Sequence, residues 1–270
     1  MSSVRRIAFC AAFIAAASPV AAQTTSYALA PAVGAWSPPP MAPADASQWQ
    51  WTIAPYLLFP TMQGSTGIGS LPLLHVDASP SEIFSHLHFG AMLYVQARKG
   101  SWAFVLDQIY MDLRQDVNPG GTWVNGTVTM KQYAAEAFAF KELSHGFEAA
   151  IGGLVNSIQA SGTITLNTPG PTTQSNSKQK TWGVPVVGFR WTPVNGEKWH
   201  AVLFSDIGGT SGNNWTYQVL PSVGYRWSKL FETDLQYRWL GLNYSSGSGS
   251  DTFIYDMNIF GPEVAFAFHF

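Results

Sequence analysis

The chain is 270 residues long, 46% hydrophobic and 14% aromatic but only 11% charged, with a formal net charge of −2. Its 17 Phe, 11 Trp and 10 Tyr argue against a disordered chain, which would be charged and poor in aromatics. A mean hydropathy of only +0.04, with no run of about 20 apolar residues after the N-terminal segment, argues against helical membrane spans.

Met1 to Ala22 reads as a secretory signal. Arg5 and Arg6 form a positive start, Ile7 to Ala17 a short apolar stretch, and Val20-Ala21-Ala22 the small residues before a cleavage point near Gln23. The single cysteine, Cys10, leaves with it, so disulfides contribute nothing to the mature chain. Losing two of the 14 basic residues leaves twelve against 16 acidic ones, a balance that argues against nucleic acid as a partner. Residues 23–48 are rich in Ala and Pro, lack a period, and read as an extended periplasmic tether.

From Trp49 to Phe270 the dominant signal is alternation of period two, the mark of strands with one apolar face. Tyr217, Val219, Pro221, Val223, Tyr225 and Trp227 oppose Gln218, Leu220, Ser222, Gly224 and Arg226. The spacing predicts ten strands, near 49–59, 88–98, 102–114, 126–141, 147–165, 180–193, 199–209, 215–228, 231–245 and 252–270. The last run changes phase between Ile259 and Pro262, which predicts a bulge near Phe260–Gly261. In the first loop, Ser79-Pro80-Ser81-Glu82 carries a capping box and predicts a short helix over 80–87, packed on the rim or acting as a partial plug.

The connections alternate. Residues 99–101, 142–146, 193–198 and 228–230 are short, whereas 60–87, 115–125, 166–179 and 246–251 are mostly longer and polar; 208–214 is a shorter member of the second group. Short turns on one side and longer loops on the other fit an all-β, transmembrane antiparallel up-and-down β-barrel of about ten strands, with short turns facing the periplasm. Closure leaves no unpaired edge in hydrocarbon. Trp49, Trp51, Trp102, Trp191, Trp199 and Trp227 cluster beside the short turns, where an aromatic girdle belongs. A soluble lipocalin-like barrel or sandwich would have to bury these rings in a small interior.

Short elements in series resemble a porin-like family of Gram-negative outer-membrane β-barrel proteins. They are Val76-Asp77 with the following helix, Ala97-Arg98-Lys99-Gly100 with Trp102, Asp107 with Tyr110, Asp206-Ile207-Gly208-Gly209, Gly224-Tyr225-Arg226, and Tyr237-Arg238 with Leu240. The family pattern continues with Tyr, Leu and Asp after the second Arg; here Trp239, Leu240 and Gly241 stand there, so that Asp is missing. The resemblance implies fold and location, not an activity. Phe270, with Phe266 and Phe268 at alternating positions before it, also looks like the C-terminal signal read by the barrel-insertion machinery.

With apolar residues facing lipid, charges must face inward. Glu136, Glu148, Arg190, Arg226, Glu232, Asp234 and Arg238 are the predicted lumen cluster, with Arg226 pairing across a tight turn to Glu232 or Asp234. Glu136 and Glu148 flank another turn, and two carboxylates brought together there would form a gating device unless Arg98 or Arg190 cancelled it. The expected role is non-enzymatic: a structural or interaction protein of the outer membrane, in contact with its lipids and lipopolysaccharide. A narrow channel for ions or small solutes is the alternative. A rim hydrolase built from Asp206, Asp251 or Asp256 with His75, His86 or His88 comes third, with His145 and His200 expected on the wrong side. No linear motif for a metal, a cofactor or a nucleophile elbow is present, so none is expected.

Overall fold

A computed structural model describes residues 47–68, 73–117, 123–166, 172–211 and 214–270. The segment read from the sequence as a signal, and nearly all of the one read as a tether, lie outside the described residues. Twelve strands and one helix follow in chain order: β1 (Gln50–Leu58), β2 (Thr61–Ile68), β3 (Leu74–Ala78), α1 (Pro80–His86), β4 (Leu87–Lys99), β5 (Trp102–Val117), β6 (Trp123–Ser144), β7 (Phe147–Leu166), β8 (Thr172–Asn195), β9 (Trp199–Thr210), β10 (Asn214–Arg226), β11 (Phe231–Ser246) and β12 (Phe253–His269).

Ten of these form a ring. β4 to β12 pair antiparallel in sequence order, β1 pairs with β4, and β1 closes onto β12. The chain is therefore a transmembrane antiparallel β-barrel. The period-two pattern explains the closure: with every ring strand paired on both sides, each strand can bury one set of alternating side chains and turn the other outward. Ile53, Leu57, Phe104, Leu106, Ile151, Val187, Ile207, Leu235 and Phe268 are exposed on the outside. Their neighbours in sequence, Ala54, Tyr56, Ala103, Val105, Ala150, Val186, Asp206, Asp234 and Ala267, are buried inside.

Three details differ from the sequence expectation. First, β12 has no bulge: its register with β11 runs unbroken from Phe268 opposite Phe231 to Phe253 opposite Ser246. The phase of hydrophobicity changes because the interior itself changes. Glu263, Ala265 and Ala267 face a polar lumen, and Tyr255, Met257 and Ile259, on the same inward face, meet an apolar one. Second, the irregularity lies in the partner strand. β1 and β2 share one register along β12, with only Phe59 and Pro60 between them, and there the chain leaves β4 and takes β3 as its other neighbour. Pro60 has no N–H to donate, so it suits a place where pairing changes hands. A side chain at Gly261 would strike the backbone of Phe59 and Pro60, so glycine is needed opposite. Third, the stretch read as the first loop holds the β2–β3 hairpin as well as α1, and much of the predicted loops 115–125 and 166–179 is strand, so those hairpins are taller than predicted.

Helix α1 carries the capping box as expected. The Ser79 hydroxyl accepts from the Glu82 amide and the Glu82 carboxylate accepts from the Ser79 amide. Its Ile83 is buried in the apolar core, and Phe84 lies against Phe59 at 5.4 Å between ring centres.

Candidate functional site

Inside the wall the side chains form layers. Nearest the short turns, Glu148 accepts from Arg98 Nη2 and from Arg190 Nε, each at 2.5 Å. Arg190 also donates to Gln96 Oε1 at 2.8 Å and Tyr94 Oη at 3.2 Å, and its guanidinium stands 4.3 Å over the Phe140 ring. On the opposite wall Arg226 Nε donates to Glu232 Oε2 at 3.2 Å, the cross-turn pair the sequence offered, and His200 Nε2 meets Asp234 Oδ1 at 2.7 Å.

One layer deeper, Arg238 is 3% exposed and reaches in three directions. Its Nε donates to Glu263 Oε2 at 2.9 Å, Nη1 to Gln218 Oε1 at 2.8 Å and Nη2 to Asp107 Oδ2 at 3.0 Å. Tyr56 Oη donates to the other Asp107 oxygen, and Gln218 Nε2 donates to Glu136 Oε2 at 2.9 Å and Asp206 Oδ2 at 3.2 Å. Asp107 lies on β5 and Arg238 on β11; Glu136 lies on β6 and Gln218 on β10. Each pair is four steps apart around a ring of ten, so these bonds cross the lumen. The planar guanidinium, with donors in a fixed fork, suits a node shared by several acceptors.

Above this node the inward residues are mostly apolar, with Gln132, Asn156 and Thr216 buried among them. Leu154, Leu240, Leu242, Met257, Ile259 and Trp182 are buried, and Trp182 stacks on Tyr244 with ring centres 4.5 Å apart. A cavity of ≈ 510 Å³ occupies the half below, bordered by Arg190, Glu148, Arg226, Glu232 and Arg238. A second, much smaller cavity of ≈ 30 Å³ lies just above the node among Leu154, Leu240, Leu242 and Ile259, with Arg238, Glu136 and Gln132 also on its wall.

All seven predicted lumen charges thus point inward; Arg226 pairs with Glu232 as predicted, but the other predicted pair does not form. Glu136 and Glu148 do not meet. Glu148 stands opposite Glu142 and Arg190 and is held by two arginines, whereas Glu136 shares the Gln218 amide with Asp206. Asp206, expected near the rim, is buried in the lumen, and exposed His88 stands beside Asp112 at 3.6 Å. The proposed rim constellation of Asp206 with a first-loop histidine is therefore not assembled. His200, expected near the short turns, is there and points inside. Asp107, Gln218, Glu263 and Tyr56 were missing from the predicted cluster; their signal was the strand phase, which sets them on the face opposite the exposed Phe104, Trp215, Phe266 and Leu57. Trp51, Trp102, Trp191, Trp199 and Trp227 are exposed at the short-turn end, as are Phe266, Phe268 and Phe270 along the last strand.

No protein-family model matches the chain, and no curated protein matches it. Among solved structures it is similar to the outer-membrane protease OmpT of Escherichia coli. The two are 8% identical, the match covers 86% of this chain and 99% of that one, and the TM-score is 0.52. It matches more loosely Ail, the attachment invasion locus protein of Yersinia pestis, at 10% identity, 82% and 98% coverage and a TM-score of 0.34. The toluene transporter TbuX of Ralstonia pickettii is similar at 5% identity, 82% and 88% coverage and a TM-score of 0.35. The last two are too distant in shape to carry an argument. The first speaks for the fold alone, and that fold is the outer-membrane β-barrel.

Proposed function

We propose that this chain is an exported, non-enzymatic protein of the Gram-negative outer membrane, with a structural or interaction role and a bore closed at mid-height. One observation carries the reading: the Arg238 network crosses the lumen between opposite walls and an apolar layer is stacked directly on it. An ion passing that point would have to displace buried, mutually bonded charges and then cross a mostly apolar layer, and burying an unpaired charge is expensive. What remains is a vestibule of ≈ 510 Å³ on the short-turn side, which by the usual orientation of such barrels faces the periplasm.

The narrow channel stays as the second reading because the vestibule is lined by charges of both signs. Planar bilayers separate the two. The purified, folded protein should give no resolvable current steps, whereas its Trp182→Ala, Leu242→Ala variant, with the apolar layer hollowed, should begin to leak. Steady single-channel currents from the unaltered protein, altered by Arg238→Ala, would establish the conduit instead.

A further inference from the structure

Two histidines flank Glu232 at the short-turn end of the lumen. His200 Nδ1 lies 3.9 Å from Glu232 Oε2, and His269 Nε2 lies 3.2 Å from Glu232 Oε1. Each ring is anchored through its other nitrogen: His200 Nε2 by Asp234 at 2.7 Å, and His269 Nδ1 by the Thr52 hydroxyl at 3.1 Å. His200 is only 6% exposed, and its Nδ1 has no hydrogen-bond partner among the described residues. An imidazole whose Nε2–H is given to a carboxylate offers a bare lone pair at Nδ1, the tautomer found in metal-ligating histidines backed by a carboxylate. One ligand atom from each of His200, Glu232 and Asp234 can be chosen so that all lie within 4.8 Å of one another.

The backbone makes room for this grouping. His200, Gly224 and Asp234 stand directly opposite one another on β9, β10 and β11, and Arg226 and Glu232 form the next row. The two side chains of the first row meet over Gly224, where any Cβ would collide with both His200 and Asp234. Ala265 and Ala267 continue the rows on β12 with small residues. Arg226 Nε reaches Glu232 Oε2 at 3.2 Å, whereas Asp234 is paired with His200 and not with a guanidinium.

We propose that this cluster is a binding site for a divalent first-row transition metal ion, best matched by Zn²⁺. His200, Glu232 and Asp234 act as ligands, His269 holds Glu232 from its other side, and the fourth position opens to the vestibule. Nitrogen and carboxylate ligands with one open position suit zinc, whereas Ca²⁺ and Mg²⁺ require six or more oxygens, many from water. The inference goes beyond the closed-barrel reading and stands whether or not the bore conducts.

Untagged full-length protein, folded in detergent micelles and stripped with chelator, is titrated with Zn²⁺ against a chromophoric competitor. One equivalent should bind. His200→Ala and Gly224→Ala should weaken binding at least tenfold, while His86→Ala, outside the barrel, should leave it unchanged. Heat-dependent gel mobility checks that each variant is folded. Should the variants fail to fold, Co²⁺ added to the unaltered protein decides: the visible absorption of a histidine- and carboxylate-bound ion supports the site, and the spectrum of aqueous Co²⁺ overturns it. No zinc uptake by the unaltered protein, or equal uptake by folded His200→Ala, overturns it as well.

Discussion

Replacing Arg238 by alanine removes the cation that Glu263 and Asp107 share, and it strips Gln218 of a donor. Glu263 is 2% exposed and loses its main partner. Breaking a buried pair from one side costs about 3–5 kcal/mol, because the partner charge stays behind uncompensated. Guanidinium unfolding from phospholipid vesicles should show that loss for Arg238→Ala. Changing Glu263→Gln in the same chain should recover part of it, since the deserted charge is then gone. A loss below about 0.5 kcal/mol, in the range of ordinary surface changes, would mean that the node contributes nothing. Lysine is no substitute at this position, because a compact ammonium lacks the planar fork whose separate nitrogens reach Glu263, Gln218 and Asp107 at once.

At the scale of elements, strand identity was legible because period-two alternation reports a physical fact: one side chain meets lipid and the next meets the interior. Where the interior is polar, as along Glu232, Asp234, Gln236 and Arg238, the pattern is sharp. Where it is apolar, as at Tyr255, Met257 and Ile259, both faces are greasy and the phase cannot be read, which is why β12 looked bulged and is not. The β2–β3 hairpin was hidden for the opposite reason. Met62-Gln63-Gly64-Ser65-Thr66 pairs through its backbone with β12, a partner nearly 200 residues away, and its side chains carry no clear period. Likewise the His200–Gly224–Asp234 row joins three strands, so no linear spacing could display it.

Helix α1 was legible because its signal is local. Seven residues make a marginal helix alone, so its cap and the burial of Ile83 must hold it. Ser79→Ala should cost about 1 kcal/mol, read as roughly fivefold faster amide exchange at Glu82 and Ile83. The hydrogen bonds from the Ser79 backbone and hydroxyl hold the Glu82 carboxyl below the usual range. A carboxyl so lowered contributes stability above its ordinary pKa and loses it as pH falls through the lowered value. The same two amides should therefore lose protection on acidification in the native chain, and Glu82→Gln should flatten that dependence. An unchanged pH profile in Glu82→Gln would sink the account.

For the molecule as a whole, the outward face is the solvent problem that the fold must solve. Ile151 is 68% exposed on β7, some four residues above the turn that ends at Phe147, and it is flanked by Ala139 and Val187 on the neighbouring strands. At about 3.3 Å per residue along a tilted strand, that places it near the middle of an apolar band ≈ 25 Å tall. Leu143 is 64% exposed but sits at the turn itself, level with the tryptophans. Exposure to water would make the two positions equivalent, and arginine at either would be nearly neutral. Exposure to lipid makes them different: Ile151→Arg should cost about 2–4 kcal/mol and Leu143→Arg about 0–1 kcal/mol. Unfolding from vesicles measures both, and a thin-lipid series sharpens the contrast, because a thinner band brings interface closer to Ile151 and should shrink its penalty first. Equal costs at the two sites would mean that the apolar belt faces something other than acyl chains, and the inside-out arrangement of the barrel would have to be abandoned.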